Sequence, residues 1–292
     1  MNKSLKSILV YDNLASPPTY GDFLCVILLA KFLILTGYKI KFYIIDSELR
    51  EDWNDLNQKE IDLFLEEQLL LAKGLLNFNT ITIRRLKWQD LNNELIDSSK
   101  NILFKENIVN RHSIYNGCFN LLNKLLCDKS EIFLDKFLFN YNDLLKFNKI
   151  KKVMSPYVTI GCRYSEKWGK ERNLTEEEFI QIYLVLSKIF PNHKLLVVSD
   201  DIGCQYFSNI AIDNGFDVLF SKEYSNSFLG DGALILGSDF YYQLRGGGIG
   251  LFAMFSIIPY HITLPLIHES MWSDKKLTSF QNENQTFENK WN

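Results

Sequence analysis

Residues 7–45 read SILVYDNLASPPTYGDFLCVILLAKFLILTGYKIKFYII, and this stretch decides the fold class. The apolar run at residues 7–11 predicts a β-strand. The apolar segment at residues 23–36 predicts a buried helix that Gly37 ends, and residues 39–45 predict a second strand. Strand, helix and strand in this order form a βαβ unit, in which the two strands lie parallel in one sheet.

The rest of the first half continues the same pattern. Helical spacing of apolar residues predicts a helix at residues 58–76, and a strand is predicted at residues 80–86. Further predictions are helices at 88–96 and 113–126, a strand at 101–105, a mostly helical segment at 131–147 and a linker at 149–156. The first half is therefore expected to form one lobe with a parallel sheet.

The alternation of strands and helices restarts after the linker. Residues 157–163, YVTIGCR, predict a strand, and Thr175 with Glu178 is the signature of a capping box at the start of the next helix. Other predictions are strands at 194–199, 217–220, 233–236 and 260–264, helices at 205–214 and from the glycines to about 256, and a polar tail or fraying helix at 281–292. The sequence predicts an α/β protein of two Rossmann-like lobes, residues 1–150 and 151–292, with parallel sheets facing a cleft.

Charge and cysteine usage exclude several classes of protein. The 292 residues are 47% hydrophobic and carry a net charge of −3, which argues against nucleic acid as a partner. The five cysteines include no Cys-x-x-Cys pair and no zinc-ligand spacing. They predict buried free thiols in a reducing compartment.

The N-terminus and the apolar segments bear on localisation. The N-terminus has no apolar core of a signal peptide, and the most apolar segment, residues 23–35, is too short to span a bilayer. We therefore expect a soluble, cytoplasmic protein. A basic cluster at Lys149, Lys151 and Lys152 predicts either peripheral contact with an anionic membrane surface or a solvated linker.

The second half carries a candidate phosphate site. Gly246, Gly247 and Gly248 directly precede a predicted helix, where glycines let backbone N–H groups approach an anion closely. Arg245 adjoins the glycines and Arg163 ends the strand predicted at the start of this half, so both guanidinium groups are expected to reach one crevice. A tight turn for the glycines and a surface salt bridge for Arg163 are the alternatives.

The first half carries candidate acceptor and base residues. Tyr20, Gly21 and Asp22 lie between the first strand and the first helix, and the carboxylate of Asp22 could take a proton from an attacking hydroxyl as a general base. A helix N-cap is the alternative role of Asp22. Arg111 and His112 form a second candidate acceptor site, for which a structural histidine is the alternative.

Missing motifs narrow the chemistry. No Asp-x-Asp pair occurs in the chain, and such a pair is usual in sugar transferases that hold a metal–diphosphate. The absence of GxxxxGK[ST], of GxSxG, and of GxGxxG after the first strand argues against an ordinary ATPase, an α/β-hydrolase and a dinucleotide dehydrogenase. We therefore expect neither a metal nor a cofactor.

With these residues in view, the second half resembles glycosyltransferases of the two-Rossmann-lobe type, GT-B, that build bacterial surface polysaccharides. Residues 158–163 resemble the strand and donor-binding arginine of fucosyltransferase-like enzymes, and residues 195–201, with Ser199 and Asp200, resemble the next strand of that group. Residues 236–250, with Ser238 and the glycines, resemble the donor-phosphate loop of many GT-B enzymes.

One segment of the first half also resembles GT-B glycosyltransferases. Two positions of the second half differ from the pattern of those enzymes. The segment Tyr20-Gly21-Asp22 is similar to the Gly-Asp segment of heptosyltransferase-like enzymes, in which the aspartate is the catalytic base. Gly161 stands where the related enzymes have the histidine of His-x-Arg, and Tyr164 stands where they have a second arginine. The donor nucleotide and sugar are therefore not implied.

The resemblance implies a metal-independent glycosyltransferase that moves a sugar from a nucleotide-sugar donor to a glycan or lipid-linked acceptor. It implies catalytic roles for Asp22 and Arg163. The residues implied in donor binding are Arg163, Ser199, Asp200, Ser238, Arg245, Gly246, Gly247 and Gly248, and those expected at the acceptor are Tyr20, Gly21, Arg111 and His112. A nucleotide-sugar 2-epimerase and a non-catalytic sugar-nucleotide-binding or assembly protein are the alternatives.

Overall fold

The computed structural model describes residues 6–12, 20–45, 58–76, 81–86, 131–145, 150–166, 170–245, 247–263 and 285–288. Its contacts divide the chain into two compact units, Met1–Leu138 and Phe139–Asn292. The division precedes the linker predicted at 149–156, because the helix Tyr141–Leu145 belongs to the second unit, where a Cβ added to Gly237 would lie 2.8 Å from the Tyr141 ring. The assignment of acceptor and donor roles to residues 1–150 and 151–292 stays a prediction.

The first unit contains a three-stranded parallel sheet in the order β1-β2-β3. Its described elements are β1 (Lys6–Asp12), α1 (Tyr20–Leu35), β2 (Lys39–Ile45), α2 (Gln58–Leu75), β3 (Ile81–Leu86) and α3 (Glu131–Phe137). Lys6 pairs with Lys39, and Ile40 pairs with Ile81. The βαβ unit is confirmed, with α1 beginning earlier than expected, at Tyr20. The elements predicted at 88–96, 101–105 and 113–126 lie outside the described residues.

Helix α1 is buried along almost its whole length. Its sequence, YGDFLCVILLAKFLIL, is apolar on every side, so it needs cover on more than the face that meets the sheet. Phe23 packs edge-to-face on Tyr11 of β1, with ring centroids 4.9 Å apart, and Phe32 packs in the same way on Phe133 of α3 at 5.4 Å. Among the described residues, no helix is both long and apolar enough to cross a bilayer.

Lys31 is the one charged residue inside the apolar part of α1. Its Nζ donates a hydrogen bond of 2.9 Å to the carbonyl oxygen of Leu138, just past the end of α3. The last carbonyl groups of a helix have no partner within the helix, and a cation there also complements the negative end of the helix dipole. Lys31 therefore joins α1 to α3 through a polar contact in otherwise apolar surroundings.

The second unit contains a six-stranded sheet in which every neighbouring pair is parallel. Its described elements are α4 (Tyr141–Leu145), β4 (Tyr157–Gly161), α5 (Glu176–Ile189), β5 (Lys194–Val198), α6 (Asp201–Asp213), β6 (Val218–Phe220), α7 (Phe228–Leu236), β7 (Tyr241–Leu244), α8 (Gly250–Met254), β8 (Tyr260–Thr263) and β9 (Gln285–Glu288). The strand order is β6-β5-β4-β7-β8-β9. Counted within this unit it is 3-2-1-4-5-6, the order of the Rossmann fold, as predicted.

The core on one side of this sheet is formed by strands β4 and β5 and helices α5 and α6. Ile160 and Val197 are fully buried, and Phe179 of α5 packs on Phe207 of α6 with ring centroids 5.0 Å apart. The predicted capping box starts α5. The Thr175 hydroxyl accepts the N–H of Glu178 at 3.3 Å, and the Glu178 carboxylate accepts the N–H of Thr175 at 2.9 Å.

Two predictions in this unit are wrong. Residues 233–236, predicted as a strand, belong to helix α7, because Ser227 caps the helix by accepting the N–H of Gly230 at 2.9 Å. The strand lies later, at Tyr241–Leu244. The predicted polar tail at 281–292 contains strand β9, whose Gln285 is buried and donates through Nε2 to the carbonyl groups of Ser256 and Ile258 at 2.9 and 3.0 Å.

Two helices have different bounds from those predicted. Helix α6 begins at Asp201, ahead of the predicted start at residue 205, because Asp200 is its N-cap. Helix α8 ends at Met254 and is only five residues long. The strands predicted at 194–199, 217–220 and 260–264 are confirmed within one residue of their ends, and the strand predicted at 157–163 ends two residues earlier, at Gly161. Within its described residues, 131–145, the mostly helical segment is confirmed as α3 and α4.

Helices α7 and α8 meet at Gly232, and this contact leads to a stability prediction. A Cβ at Gly232 would lie 2.5 Å from the Phe252 ring, which also packs on Phe139 and Phe228. We expect Gly232→Ala to lower the free energy of unfolding by about 1–3 kcal/mol, since overpacking outweighs the gain in helix propensity. Chemical denaturation measures this, with the exposed Gln181→Ala on α5 as the control. A stabilised Gly232→Ala variant would contradict the prediction.

Candidate functional site

The topological switch point of the second unit lies between β4 and β7, where the order of the strands reverses. In open parallel sheets, ligands bind beyond the carboxyl ends of the strands at such a point. Gly161 of β4 pairs with Gln243 of β7. Arg163 and Arg245 each stand two residues beyond this pair, so the two predicted donor-binding arginines follow the strands that flank the switch point.

Arg245 is held in an uncommon backbone conformation and in an ion pair. Its φ is 65°, and among the described residues it is the only residue other than glycine with a positive φ. Such a conformation is disfavoured for a side chain of this size and commonly marks a functional site. Its Nε and Nη2 both donate to Oε1 of Glu178, at 2.9 and 2.7 Å. The side chains are 22% and 18% exposed, so the pair is largely shielded from water.

Arg163 is held by the loop that joins β4 to α5. Its Nη1 donates to Oδ1 of Asn173 at 2.8 Å, and its carbonyl oxygen accepts the N–H of Leu174 at 2.9 Å. The Asn173 amide also accepts the Ser165 N–H at 2.9 Å and donates to the Ser165 carbonyl oxygen at 2.8 Å. One asparagine therefore closes the loop and orients the arginine.

The glycine loop follows Arg245 directly. Gly246 lies outside the described residues. The carbonyl oxygens of Gly247 and Gly248 accept the N–H groups of Gly250 and Leu251 at 3.1 and 3.2 Å, so the loop winds into the short helix α8. Within the part of the chain that the structure describes, the N–H groups of Gly247, Gly248 and Ile249 donate no hydrogen bond. Because α8 has only five residues, an anion here would be bound by loop N–H groups and not by a long helix dipole.

A buried polar pair supports the loop from below. Gln243 is 1% exposed, and its Oε1 accepts the Tyr241 hydroxyl at 3.0 Å. A Cβ at Gly250 would lie 2.2 Å from Gln243 Oε1, and a Cβ at Gly161 would lie 2.2 Å from the Tyr241 hydroxyl. These two glycines therefore leave the room that the polar pair needs. Burial raises the pKa of Tyr241 well above its ordinary value, so its hydroxyl stays a neutral donor.

The other predicted donor residues lie in different places. Asp200 caps α6, where its Oδ1 accepts the Gly203 N–H at 2.7 Å, and Ser199 precedes it at the carboxyl end of β5. Ser238 is buried before the amino end of β7, and its hydroxyl donates to the Ile235 carbonyl oxygen at 2.7 Å. Ser238 therefore lies at the edge of the sheet opposite Arg245, because the strand expected to end at this serine is a helix.

The predicted residues of the first unit surround the start of α1. Tyr20 packs on Phe64 of α2, with ring centroids 4.8 Å apart, and Gly21 is buried. Asp22 lies in the first turn of α1 and is 1% exposed. The positive end of the helix dipole stabilises a carboxylate in that turn. Arg111 and His112 lie outside the described residues.

A buried ion pair lies after β6. Lys222 stands in the 3-10 turn that follows this strand, and its Nζ contacts Oδ2 of Asp231 on α7 at 2.7 Å, with side chains 19% and 6% exposed. Burial lowers the pKa of Lys222, but the charge and the hydrogen bond of Asp231 outweigh it, so the pKa is raised above its ordinary value. Burial also raises the pKa of the neighbouring Cys204 thiol, which fits the predicted buried free thiols.

Sequence reasoning missed two supporting residues of this site. Glu178 was predicted only as part of a capping box, and Gln243 was not singled out. The signal for Gln243 was a lone amide in an apolar strand directly before the glycine run. The pairing of Glu178 with Arg245 spans 67 residues of sequence and gave no local signal.

The comparisons with known proteins bear on the fold. No protein family model matches the chain, and no curated protein matches its sequence. The chain is similar to the solved structure of a glycosyl transferase family 9 protein from Veillonella parvula, with a TM-score of 0.50 and 8% identity over 91% of this chain and 82% of that one. This likeness shows that the chain has the GT-B fold of two Rossmann-like units, which confirms the predicted fold class.

Two further solved structures are similar over most of the chain. One is the E. coli heptosyltransferase WaaC with ADP, at a TM-score of 0.43 and 12% identity over 89% of this chain and 87% of that one. The other is UDP-GlcNAc 2-epimerase from Neisseria meningitidis bound to UDP-GlcNAc, at a TM-score of 0.38 and 9% identity over 96% and 95%. The assignment of the fold rests on the Veillonella protein alone.

The pair of Lys222 and Asp231 leads to a second stability prediction. We expect Asp231→Asn to lower the free energy of unfolding by about 3 kcal/mol, since it leaves a buried ammonium without its carboxylate. Because the pKa of Lys222 is raised in the folded state, the stability that its ammonium contributes is fully present at neutral pH, and it is lost as the pH rises above 10.5, the ordinary lysine value.

Denaturation at neutral pH measures this loss, and the double variant Lys222→Met/Asp231→Leu is the control. The double variant should recover most of the loss, because it removes both charges and keeps apolar volume. Equal stability of Asp231→Asn and the unaltered chain would show that the pair contributes nothing.

Proposed function

We propose that this chain is a metal-independent glycosyltransferase of surface polysaccharide synthesis, which moves a sugar from a nucleotide-sugar donor to a glycan or lipid-linked acceptor. One observation carries the proposal. Arg163 and Arg245 follow the two strands that flank the switch point of a Rossmann-ordered sheet, and the glycine loop follows directly after Arg245. This is the part of an open α/β sheet that binds ligands, and two guanidinium groups with adjacent free N–H groups suit a diphosphate.

The donor diphosphate would bind the two arginines and the N–H groups of residues 246–249. Arg163 and Arg245 are already held by Asn173 and Glu178, so they need little rearrangement to meet the phosphates. Guanidinium groups fixed in this way stabilise the negative charge that develops on the departing diphosphate, and they need not reorganise during the reaction. Ser199 and Asp200, at the carboxyl end of β5, lie at the same edge of the sheet and could contact the nucleoside.

The acceptor would bind the first unit, where Tyr20, Gly21, Arg111 and His112 are the candidate contacts. Its hydroxyl oxygen attacks the anomeric carbon as the bond from that carbon to the diphosphate oxygen breaks. The hydroxyl proton passes to the carboxylate of Asp22, which thus acts as a general base. Exclusion of water from the reacting groups would suppress hydrolysis of the donor. Lys151 and Lys152 are exposed and would support peripheral contact with the anionic inner surface of the membrane.

The first test is nucleotide binding. In a thermal-shift panel of GDP, UDP, CMP, ADP and TDP, we expect one nucleotide to stabilise the unaltered chain and to have little effect on Arg163→Ala. At a hundredfold excess over its dissociation constant, a bound nucleotide adds about 2.7 kcal/mol of stability. The exposed Lys170→Ala, in the same loop as Arg163, is the matched control and should keep the shift. Absence of a shift with every nucleotide would contradict the proposal.

The second test addresses the base. Asp22→Asn keeps the shape of this buried side chain but removes its capacity to accept a proton, so we expect turnover to fall by about 10²–10⁴-fold. The reaction is measured as release of nucleotide from a nucleotide sugar, with and without acceptor glycan. The nucleotide sugar is one that contains the nucleotide found to stabilise the unaltered chain. The thermal shift given by the nucleotide should persist in this variant. Unchanged turnover would exclude Asp22 as the base.

A further inference from the structure

We propose that Glu178 is a positioning residue, which fixes the guanidinium group of Arg245 for contact with the donor phosphates. This inference rests on the proposed function, since it concerns the same site. It assigns to Glu178 a task beyond the capping box that the sequence shows. The carboxylate acts through Arg245 and need not touch the donor.

The two oxygens of the Glu178 carboxylate have separate partners. Oε2 accepts the N–H of Thr175, which ties the carboxylate to the first turn of α5. Oε1 accepts both Nε and Nη2 of Arg245 at 2.9 and 2.7 Å. Two N–H groups that converge on one oxygen fix both the distance and the direction of the guanidinium plane. The contact of Glu178 with Thr175 therefore holds the carboxylate in place for its contact with Arg245.

The backbone of Arg245 shows why such an anchor is needed. The left-handed φ of 65° turns the chain from β7 into the glycine loop, and this conformation is unfavourable for a long side chain. An arginine on an exposed loop samples many rotamers, and a ligand must then restrict them on binding. The ion pair with Glu178 restricts them in the free protein, so this part of the ordering is completed before a ligand arrives.

The segment directly before α5 supports the other arginine. The loop before the helix holds Arg163 through Asn173, and the Arg163 carbonyl oxygen accepts the N–H of Leu174, directly before the N-cap. The start of α5 thus contacts the residues that follow both strands at the switch point. Glu178 is the side chain that extends this support from β4 to β7.

If Glu178 acted only through its charge, removing that charge would strengthen phosphate binding. If Glu178 positions Arg245, removing the charge weakens phosphate binding. Replacing the carboxylate by an amide raises the net positive charge of the site, which by Coulomb's law would strengthen the binding of a phosphate. If Glu178 fixes Arg245, the same replacement weakens binding, because the guanidinium loses its charge-assisted contact and its direction. Glutamine is also accepted at this position of a capping box, so Glu178→Gln retains the start of the helix.

The experiment is a double-variant cycle on the ligand dissociation constant. The probes are the nucleotide that stabilises the unaltered chain and inorganic pyrophosphate, measured by calorimetry on the unaltered chain, Glu178→Gln, Arg245→Ala and Glu178→Gln/Arg245→Ala. We expect Glu178→Gln to weaken binding by about tenfold when Arg245 is present and by less than twofold when Arg245 is absent, because coupled residues are not additive.

The matched control is Thr175→Ala, which removes the capping hydroxyl but leaves the backbone N–H that holds Glu178. It should lower the melting temperature and leave the dissociation constant within twofold of the unaltered value, whereas a purely structural role of Glu178 predicts that both variants act alike on binding. Tighter binding by Glu178→Gln, or an equal loss in both backgrounds, would overturn the positioning role and leave the proposed function in place. Failure of the unaltered chain to bind any probe would overturn both.

Discussion

The pairing of β4 with β7 is the contact on which the architecture of the second unit depends. From β4 the chain moves outward through β5 and β6, and it then returns to the other side of β4 to lay down β7, β8 and β9. Right-handed crossovers place the loops that follow β4 and β7 on opposite sides of the sheet, which leaves a crevice between them. The chemistry proposed for Arg163 and Arg245 requires these two strands to be neighbours, although the two arginines lie 82 positions apart in the sequence.

Buried polar groups accompany this pairing on both sides. Toward the carboxyl edge, Tyr241 and Gln243 bond to each other beneath the glycine loop, and toward the amino edge, the hydroxyls of Thr159 and Ser238 lie 3.0 Å apart. A buried polar group without a partner costs stability, so the contact between Thr159 of β4 and Ser238, just before β7, favours one register of β7 against β4. This register determines which residues end β7, and therefore where Arg245 lies.

Much of the fold could be predicted from the sequence, because its signals are local. The apolar run at 157–161 is bounded by Pro156 and by polar residues, and the capping box of Thr175 and Glu178 lies within four residues. The failures have physical reasons. Four apolar residues at 233–236 fit a strand and a buried helix equally well, and the cap at Ser227 lies too far upstream to be read with them. The short polar strand β9 pairs with β8 at the end of the described sheet, a partner that its local sequence does not reveal.

The candidate site could be predicted only in part. Arg163, Arg245 and the glycines were found because strand ends and glycine runs are visible along the chain. The contacts that hold these groups could not be found, since the ion pair of Glu178 with Arg245 exists only once β7 has paired with β4. Ser238 was misplaced because its position followed from the strand wrongly predicted at 233–236. Long-range partners of this kind are decided by topology and not by local sequence.

The all-round apolar surface of α1 has a consequence for biosynthesis. Part of its cover comes from α3, and the hydrogen bond from Lys31 to Leu138 joins residues 107 positions apart. At a translation rate of about 5–20 residues per second, roughly 5–20 s pass between the synthesis of the helix and that of its cover. During this interval the apolar helix α1 has left the ribosome before α3, which covers part of its surface, has been synthesised. The solubility of the nascent chain during synthesis therefore depends on a segment encoded about a hundred codons downstream of the helix that it covers.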